Sequence, residues 1–255
     1  MEVKPVSITA VLMGRCLAWC VLASLLIQTA ACTSVSPTAT ASSDKPVSTT
    51  PTFDAWQHYP LPGKRATTFS VMQLDGRDVV VASADASASM LRRPIRVEAA
   101  DLGKINFSWM VPHLIERADM AVSQADDSPV RVVLAFEGDR SQFSMKNAML
   151  SELSLTITGE ALPYATLMYV WCNTRPPDSV IINPRTDRVR KMVVESGAKG
   201  LSRWLNYDRN IRADFEKAFG EPPGALVGIG IMTDTDNTRT KTRAWYGPLN
   251  LTAGQ

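Results

Sequence analysis

From Tyr164 to Cys172 the chain reads Tyr-Ala-Thr-Leu-Met-Tyr-Val-Trp-Cys, without a charge, a Gly or a Pro. Aromatic and β-branched residues of this kind suit a pleated surface. In a strand, Leu167, Tyr169 and Trp171 point to one face, and Met168, Val170 and Cys172 to the other. Both faces are apolar, so both must be covered, and the stretch is predicted to be a central strand of a packed sheet.

The surrounding sequence supplies further strands. Thr67–Met72, the turn Asp75-Gly76 and Asp78–Ser83 read as a hairpin. Ile95–Glu98, Lys104–Val111, Pro129–Phe136, Ser179–Ile182, Val189–Val194, Gly224–Met232 and Thr242–Leu251 are short apolar or alternating runs. Roughly ten strands at short, irregular spacing argue for an antiparallel sandwich rather than alternating βα units. Two helices interrupt them. Ser144–Thr156 has Ser144 as N-cap and is predicted to pack on a sheet edge or end. Tyr207–Phe219 carries a stripe at Ile211, Phe215 and Phe219, and is ended by Gly220 and Pro222-Pro223.

Ahead of these elements the texture differs. Cys16–Ile27 is almost unbroken apolar sequence, short for a membrane span and suited to a signal peptide. Gln28-Thr-Ala-Ala-Cys32 then resembles the lipobox of bacterial lipoproteins, with Thr29 where an apolar residue is usual. That resemblance implies lipidation of the Cys32 sulfur, cleavage before it and an outer-membrane anchor facing the periplasm. Thr29 and Ala31 also fit ordinary cleavage and secretion to the periplasm. Thr33–Thr52 is Ser, Thr, Ala and Pro, a linker too polar to bury a core. The expected organisation is a signal peptide over 1–31, a linker over 32–52 and one β-sandwich domain over 53–252.

Without Lys4, Arg15 and Glu2, the 27 Lys+Arg and 25 Asp+Glu of the full chain leave a net charge of +1. This balance gives no support for a nucleic-acid partner. Beyond the leader and Cys32, Cys172 is the sole cysteine, so the domain must be stable without an intramolecular disulfide. The chain contains no G-x-S-x-G elbow, P-loop or H-E-x-x-H. His58 and His113 lack a metal-ligand partner at motif spacing.

Three polar clusters remain. Asp126 and Asp127 precede Arg131 at the start of a buried run, where an ion-paired turn or a ligand site would each explain them. Asp234, Asp236 and Asn237 follow the run ending at Met232. Oxygen ligands two apart resemble the start of a calcium loop, yet Arg239 and Trp245 stand where an EF-hand needs Gly and Glu. An Asx-stabilised turn is the alternative. Asn183–Arg190 holds three arginines that could grip an anion or line a charged hairpin. If the strands bearing the two acidic clusters pair antiparallel, the clusters converge, with Arg131 or Ca²⁺ compensating them. Of the aromatic residues, Tyr169 and Trp171 could either fill the core or stack on sugar rings.

Four segments, Asp126-Asp-Ser-Pro-Val-Arg131, Leu167-Met-Tyr-Val-Trp171, Asp214-Phe-Glu-Lys-Ala-Phe-Gly220 and Asp234-Thr-Asp-Asn-Thr238, together resemble the bacterial family called domain of unknown function 3047. The resemblance runs from about Phe53 to Leu251 and implies a jelly-roll-like sandwich akin to carbohydrate-binding modules. Two functional expectations follow. One is an envelope-anchored, noncatalytic module binding a glycan or another envelope ligand through Asp126, Asp127, Arg131, Tyr169, Trp171, Asp234, Asp236 and Asn237. The other is a polysaccharide hydrolase or lyase using carboxylates such as Asp126, Asp127 or Glu137.

Overall fold

Alternating side chains lay down thirteen strands and two α-helices among residues 55–74 and 76–254, the residues that the computed structural model describes. The expected leader, the linker and Cys32 lie outside them. In chain order the strands are β1 (Gln57–Pro60), β2 (Thr68–Leu74), β3 (Arg77–Asp85), β4 (Ala88–Val97), β5 (Leu102–Met110), β6 (Ser128–Phe136), β7 (Ala165–Cys172), β8 (Val180–Ile182), β9 (Val189–Ser196), β10 (Leu205–Asn210), β11 (Leu226–Asp234), β12 (Lys241–Tyr246) and β13 (Asn250–Ala253). The helices are α1 (Met145–Thr158) and α2 (Ile211–Phe219).

The strands form a jelly-roll-like β-sandwich. One sheet has seven strands in the order β1-β4-β11-β6-β7-β9-β8; the other runs β10-β5-β12-β3-β2, with β13 beside β5. Every pairing is antiparallel except β7 with β9, which is parallel. The hairpin β8–β9 therefore adds to β7 by its second strand.

The two-residue period decides which side chains enter the core. Val130, Val132, Leu134 and Phe136 of β6, Leu167, Tyr169 and Trp171 of β7, and Ile105, Phe107 and Trp109 of β5 all meet between the sheets. Phe107 stacks on Tyr169 at 5.5 Å and on Tyr207 at 5.2 Å. On β7 the opposite face is covered as well: Val170 and Cys172 pack with Met120, Ile181 and Val193. Cys172 is thus a buried small apolar group.

The second helix begins later than its sequence suggests. Leu205–Asn210 alternates and pairs with β5, so Tyr207 joins the core from a strand. Asn210 then caps α2 by accepting from the Ala213 amide at 3.0 Å. Gly220 ends it at φ +71° as expected. Phe215 of α2 is fully buried and meets Phe136 edge-on at 4.7 Å. In β4, Arg92, Arg93 and Pro94 interrupt the apolar reading, so a strand of ten residues showed only its end in the sequence.

Candidate functional site

A groove of about 1310 Å³ crosses the outer face of the seven-stranded sheet. Its floor comes from the outward positions of four adjacent strands: Met90 of β4, Gly228 and Gly230 of β11, Val133 and Ala135 of β6, and Met168 of β7. The glycines and Ala135 keep the floor low. Leu150, Leu153 and Ile157 of α1 form one wall, and Tyr59 and Leu61 also line the groove. The rim is charged. Arg92 grips Glu160 with two bonds of 2.5 and 2.6 Å and covers the Tyr59 ring at 3.8 Å. Arg96 donates to Glu98 at 2.6 Å and to Glu137 at 3.0 Å.

Beyond Val133 and Met168, the same sheet face ends in a buried charge network beneath the loop that leads from β5 to β6. Arg131 of β6 donates from Nε to Asp234 Oδ1 at 3.1 Å and from Nη2 to Asp234 Oδ2 at 2.9 Å and Asp126 Oδ1 at 3.0 Å. Lys191 of β9 donates to both Asp126 oxygens at 2.7 Å and to the Met120 carbonyl at 2.9 Å. Asn183 adds a bond of 3.1 Å to Asp126. Asp127 accepts from the Asn237 amide and side chain at 3.2 and 3.0 Å, and from the Thr238 amide and hydroxyl at 2.7 and 2.6 Å. Asp236 pairs with Lys64. The two acidic clusters converge as the register requires, because β6 and β11 pair antiparallel with Ser128 opposite Asp234.

The network's electrostatics follow from burial and from close unlike charges. Burial raises the Asp126 carboxyl, but Arg131 and Lys191 outweigh it and hold it below the usual carboxylate range. For Asp234, burial and repulsion from Asp127 and Asp126 outweigh Arg131 and push the carboxyl up to about 7. Burial and the Arg131 charge bring Lys191 down to about 8. Burial also opposes the charge on Arg131, yet Asp234 and Asp126 raise it further above its ordinary value.

Asp127, Asp234 and Asp236 place one carboxylate oxygen each within 4.8 Å of one another, a separation that a metal ion could bridge. The donors already present fit that role poorly. Both Asp127 oxygens accept from the 237–238 segment, both Asp234 oxygens from Arg131, and Asp236 faces Lys64. A cation would have to displace two fixed positive charges.

Several residues singled out in the sequence do not face a ligand. Tyr169 and Trp171 are 0% and 1% exposed, because their strand parity turns them between the sheets. The Tyr169 hydroxyl donates to Asp214 at 2.9 Å, and the Trp171 ring nitrogen to the Gly197 carbonyl at 3.0 Å. Neither can stack on a sugar. Asp126, Asp127, Arg131 and Asp234 are likewise buried, between 1% and 7% exposed, and bond to one another rather than across open space. Asn237 is half-buried and lines a small hollow with Arg117 and Arg239. The arginines of 183–190 do not converge on open space: Arg188 and Arg190 both lie over the Phe219 ring, where Arg188 reaches Glu221 at 2.6 Å and Arg190 the Asp187 carbonyl at 2.7 Å, while Arg185 reaches the Ser123 carbonyl at 3.5 Å. Sequence reasoning missed Lys191 and the groove. The signal for Lys191 was a charge in mid-strand; for the groove, small residues at the outward positions 135, 228 and 230.

The family model described as "Protein of unknown function (DUF3047)" matches residues 54–250. The chain belongs to this family. A comparison with curated proteins found no match. Among solved structures, this DUF3047 protein is similar to a family 11 carbohydrate-binding module of a cellulosomal cellulase from Clostridium thermocellum, at 9% identity, 78% coverage of this chain, 88% of the other and a TM-score of 0.38. A xyloglucanase domain of a type three effector from Sinorhizobium fredii, in complex with cellobiose, gives 8%, 78%, 93% and 0.41. The family 11 xylanase from Neocallimastix patriciarum gives 8%, 78%, 100% and 0.33. Likeness at these values assigns no ligand, residue or activity to the DUF3047 chain.

Proposed function

We propose that this protein is an envelope-anchored, noncatalytic binding module whose ligand lies in the groove above the seven-stranded sheet. The observation that carries the reading is the groove itself: a long trough on rigid strands, floored by small and apolar side chains and bordered by hydrogen-bonding charges. Cell-envelope glycans are the ligand class to test first. The apolar run before Ala30-Ala31-Cys32 supports lipid anchoring through Cys32 on the periplasmic side of the outer membrane, with secretion to the periplasm as the alternative.

The hydrolase or lyase reading has less support. Asp126 and Asp127 are committed to buried partners. Glu98 and Glu137, at the groove rim, both turn to the guanidinium of Arg96. A glycosidase needs two carboxylates flanking the scissile bond, one of them able to give a proton.

Binding of the full chain to a panel of envelope glycans tests the module. Ala135→Trp fills the trough from its floor without entering the core, so it should abolish binding at an unchanged melting temperature. Polysaccharide turnover that Glu137→Gln abolishes would overturn the noncatalytic reading.

For the acidic cluster we favour an arginine-centred structural network over calcium. Titration calorimetry with Ca²⁺ should give no binding heat, and a chelator should leave the melting temperature unchanged. Saturable heat with a matching rise in melting temperature would reinstate the cation.

A further inference from the structure

Helix α1 is turned inside out. Its protein-facing side carries Asn147 and Ser151, which are 4% and 5% exposed. Asn147 donates to Asp187 at 2.6 Å and accepts from Thr186 at 2.8 Å, while Ser151 accepts from Arg140 at 3.2 Å. Its solvent side carries Met145, Met149, Leu153 and Ile157, which are 82%, 67%, 54% and 58% exposed. These residues recur every four positions, so they form one stripe along the helix. A surface helix normally does the reverse, packing its apolar stripe inward and leaving its polar side in water. The polar side is used here to fasten the helix, leaving the stripe free for something outside the domain.

Two observations say what covers it. First, the stripe borders the groove through Leu153 and Ile157, and Gln57 and Tyr59 of the first strand line that same groove. Arg92, which covers the Tyr59 ring and lies opposite Gln57, also holds Glu160 just past the end of α1, so the first strand runs near that end of the helix. On the anchoring reading above, residues 33–54 join that strand to Cys32 in a bilayer, with a reach of at most roughly 75 Å at about 3.4 Å per residue. Second, α1 is too short to cross a membrane, so it can meet one only along its side. Its fourteen residues extend about 21 Å, short of a hydrocarbon core of about 30 Å. Among the described residues, no helix is long and apolar enough to span one.

We propose that α1 seats the Met145–Met149–Leu153–Ile157 stripe in the surface of the bilayer to which the chain is anchored, so that the groove opens against the membrane. This rests on the anchoring reading. Lys146 and Glu152 balance on the helix, so apolar burial drives the docking, and added salt leaves it intact.

The test uses the full chain isolated from membranes and reconstituted in vesicles of phosphatidylethanolamine and phosphatidylglycerol. One sample carries an environment-sensitive fluorophore on Met149→Cys, and a second carries it on Asn206→Cys, at an exposed position of β10. Cys172 is 3% exposed and stays unlabelled. The proposal expects a blue shift and a several-fold loss of iodide quenching at position 149 and neither at position 206. Adding Leu153→Glu should restore quenching without lowering the melting temperature. Equal quenching at position 149 with and without vesicles overturns the proposal. Shielding before vesicles are added also overturns it, because residues 1–54 or a second copy would then cover the stripe. Release by salt overturns the apolar docking. Mass spectrometry of the N-terminal peptide reads the anchor separately. Where Cys32 proves unmodified, the Cys32→Ser chain is mixed with the same vesicles and position 149 is read in the same way: shielding supports the stripe, and unchanged quenching overturns it.

Discussion

Asp126 is where two buried cations meet. It accepts from Arg131 on one side and Lys191 on the other, and its own carbonyl takes a further bond of 2.9 Å from Arg131. Removing one member of such a group leaves uncompensated charge in the interior, which costs about 3–5 kcal/mol. Asp126→Ala should lower stability by that amount in denaturant unfolding, well beyond any exposed carboxylate. The pH dependence has a definite sign. A carboxyl held below its ordinary range stabilises the fold above about pH 4 and loses that contribution as pH falls through the lowered value. The stability gap between wild type and Asp126→Asn should therefore narrow below about pH 4, measured by melting across pH. At this scale the sequence was half legible. Adjacent acids before Arg131 and the Asx-rich 234–238 segment each sat at the end of an apolar run, so their convergence could be stated only on the condition that those two strands pair. Lys191 showed only as a charge in mid-strand, and its partner comes from a loop some 65 positions distant, which Val-Arg-Lys-Met-Val-Val does not name.

The two helices make opposite use of their apolar residues. In α2, Phe215 fills a site against Phe136 and Phe219, and Phe215→Ala should cost about 3–5 kcal/mol. In α1, replacing Met149 and Leu153 by Glu in the absence of membranes should shift stability by no more than about 0.5 kcal/mol each. Denaturant melts of both variants in detergent-free buffer check the contrast. The period of four at Ile211, Phe215 and Phe219 and the stop at Gly220 made α2 readable from its centre to its end. Its start was misread because strand β10 runs directly into the Asn210 cap with no loop between them. The existence of α1 was legible from Ser144. Its orientation was not, since it depends on hydrogen bonds that Asn147 donates to Asp187 and accepts from Thr186, and that Ser151 accepts from Arg140.

Across the described domain, cohesion comes from the interior between the sheets rather than from covalent links. Its one cysteine, Cys172, is buried among aliphatic side chains. The melting temperature should accordingly be the same with and without reductant; a fall on reduction would contradict the packing. The sandwich class was readable because so many short strands alternate apolar and polar residues. The strand order was not, because it is set by pairings between distant parts of the chain. That order has a consequence for how the molecule comes to exist. β11 lies between β4 and β6, and β12 lies between β3 and β5, so two consecutive strands made late in the chain each supply an interior strand to one sheet. A chain ending at Gly224 would have a gap in the middle of both layers and should show no cooperative melt. Synthesis and folding are thereby uncoupled: most of the polypeptide is made before the piece that joins its halves is available. Non-local pairing of this kind folds slowly and leaves strand edges open in the meantime. On the envelope reading proposed above, that delay would serve export, since a chain lacking β11 and β12 cannot close prematurely on the wrong side of the membrane.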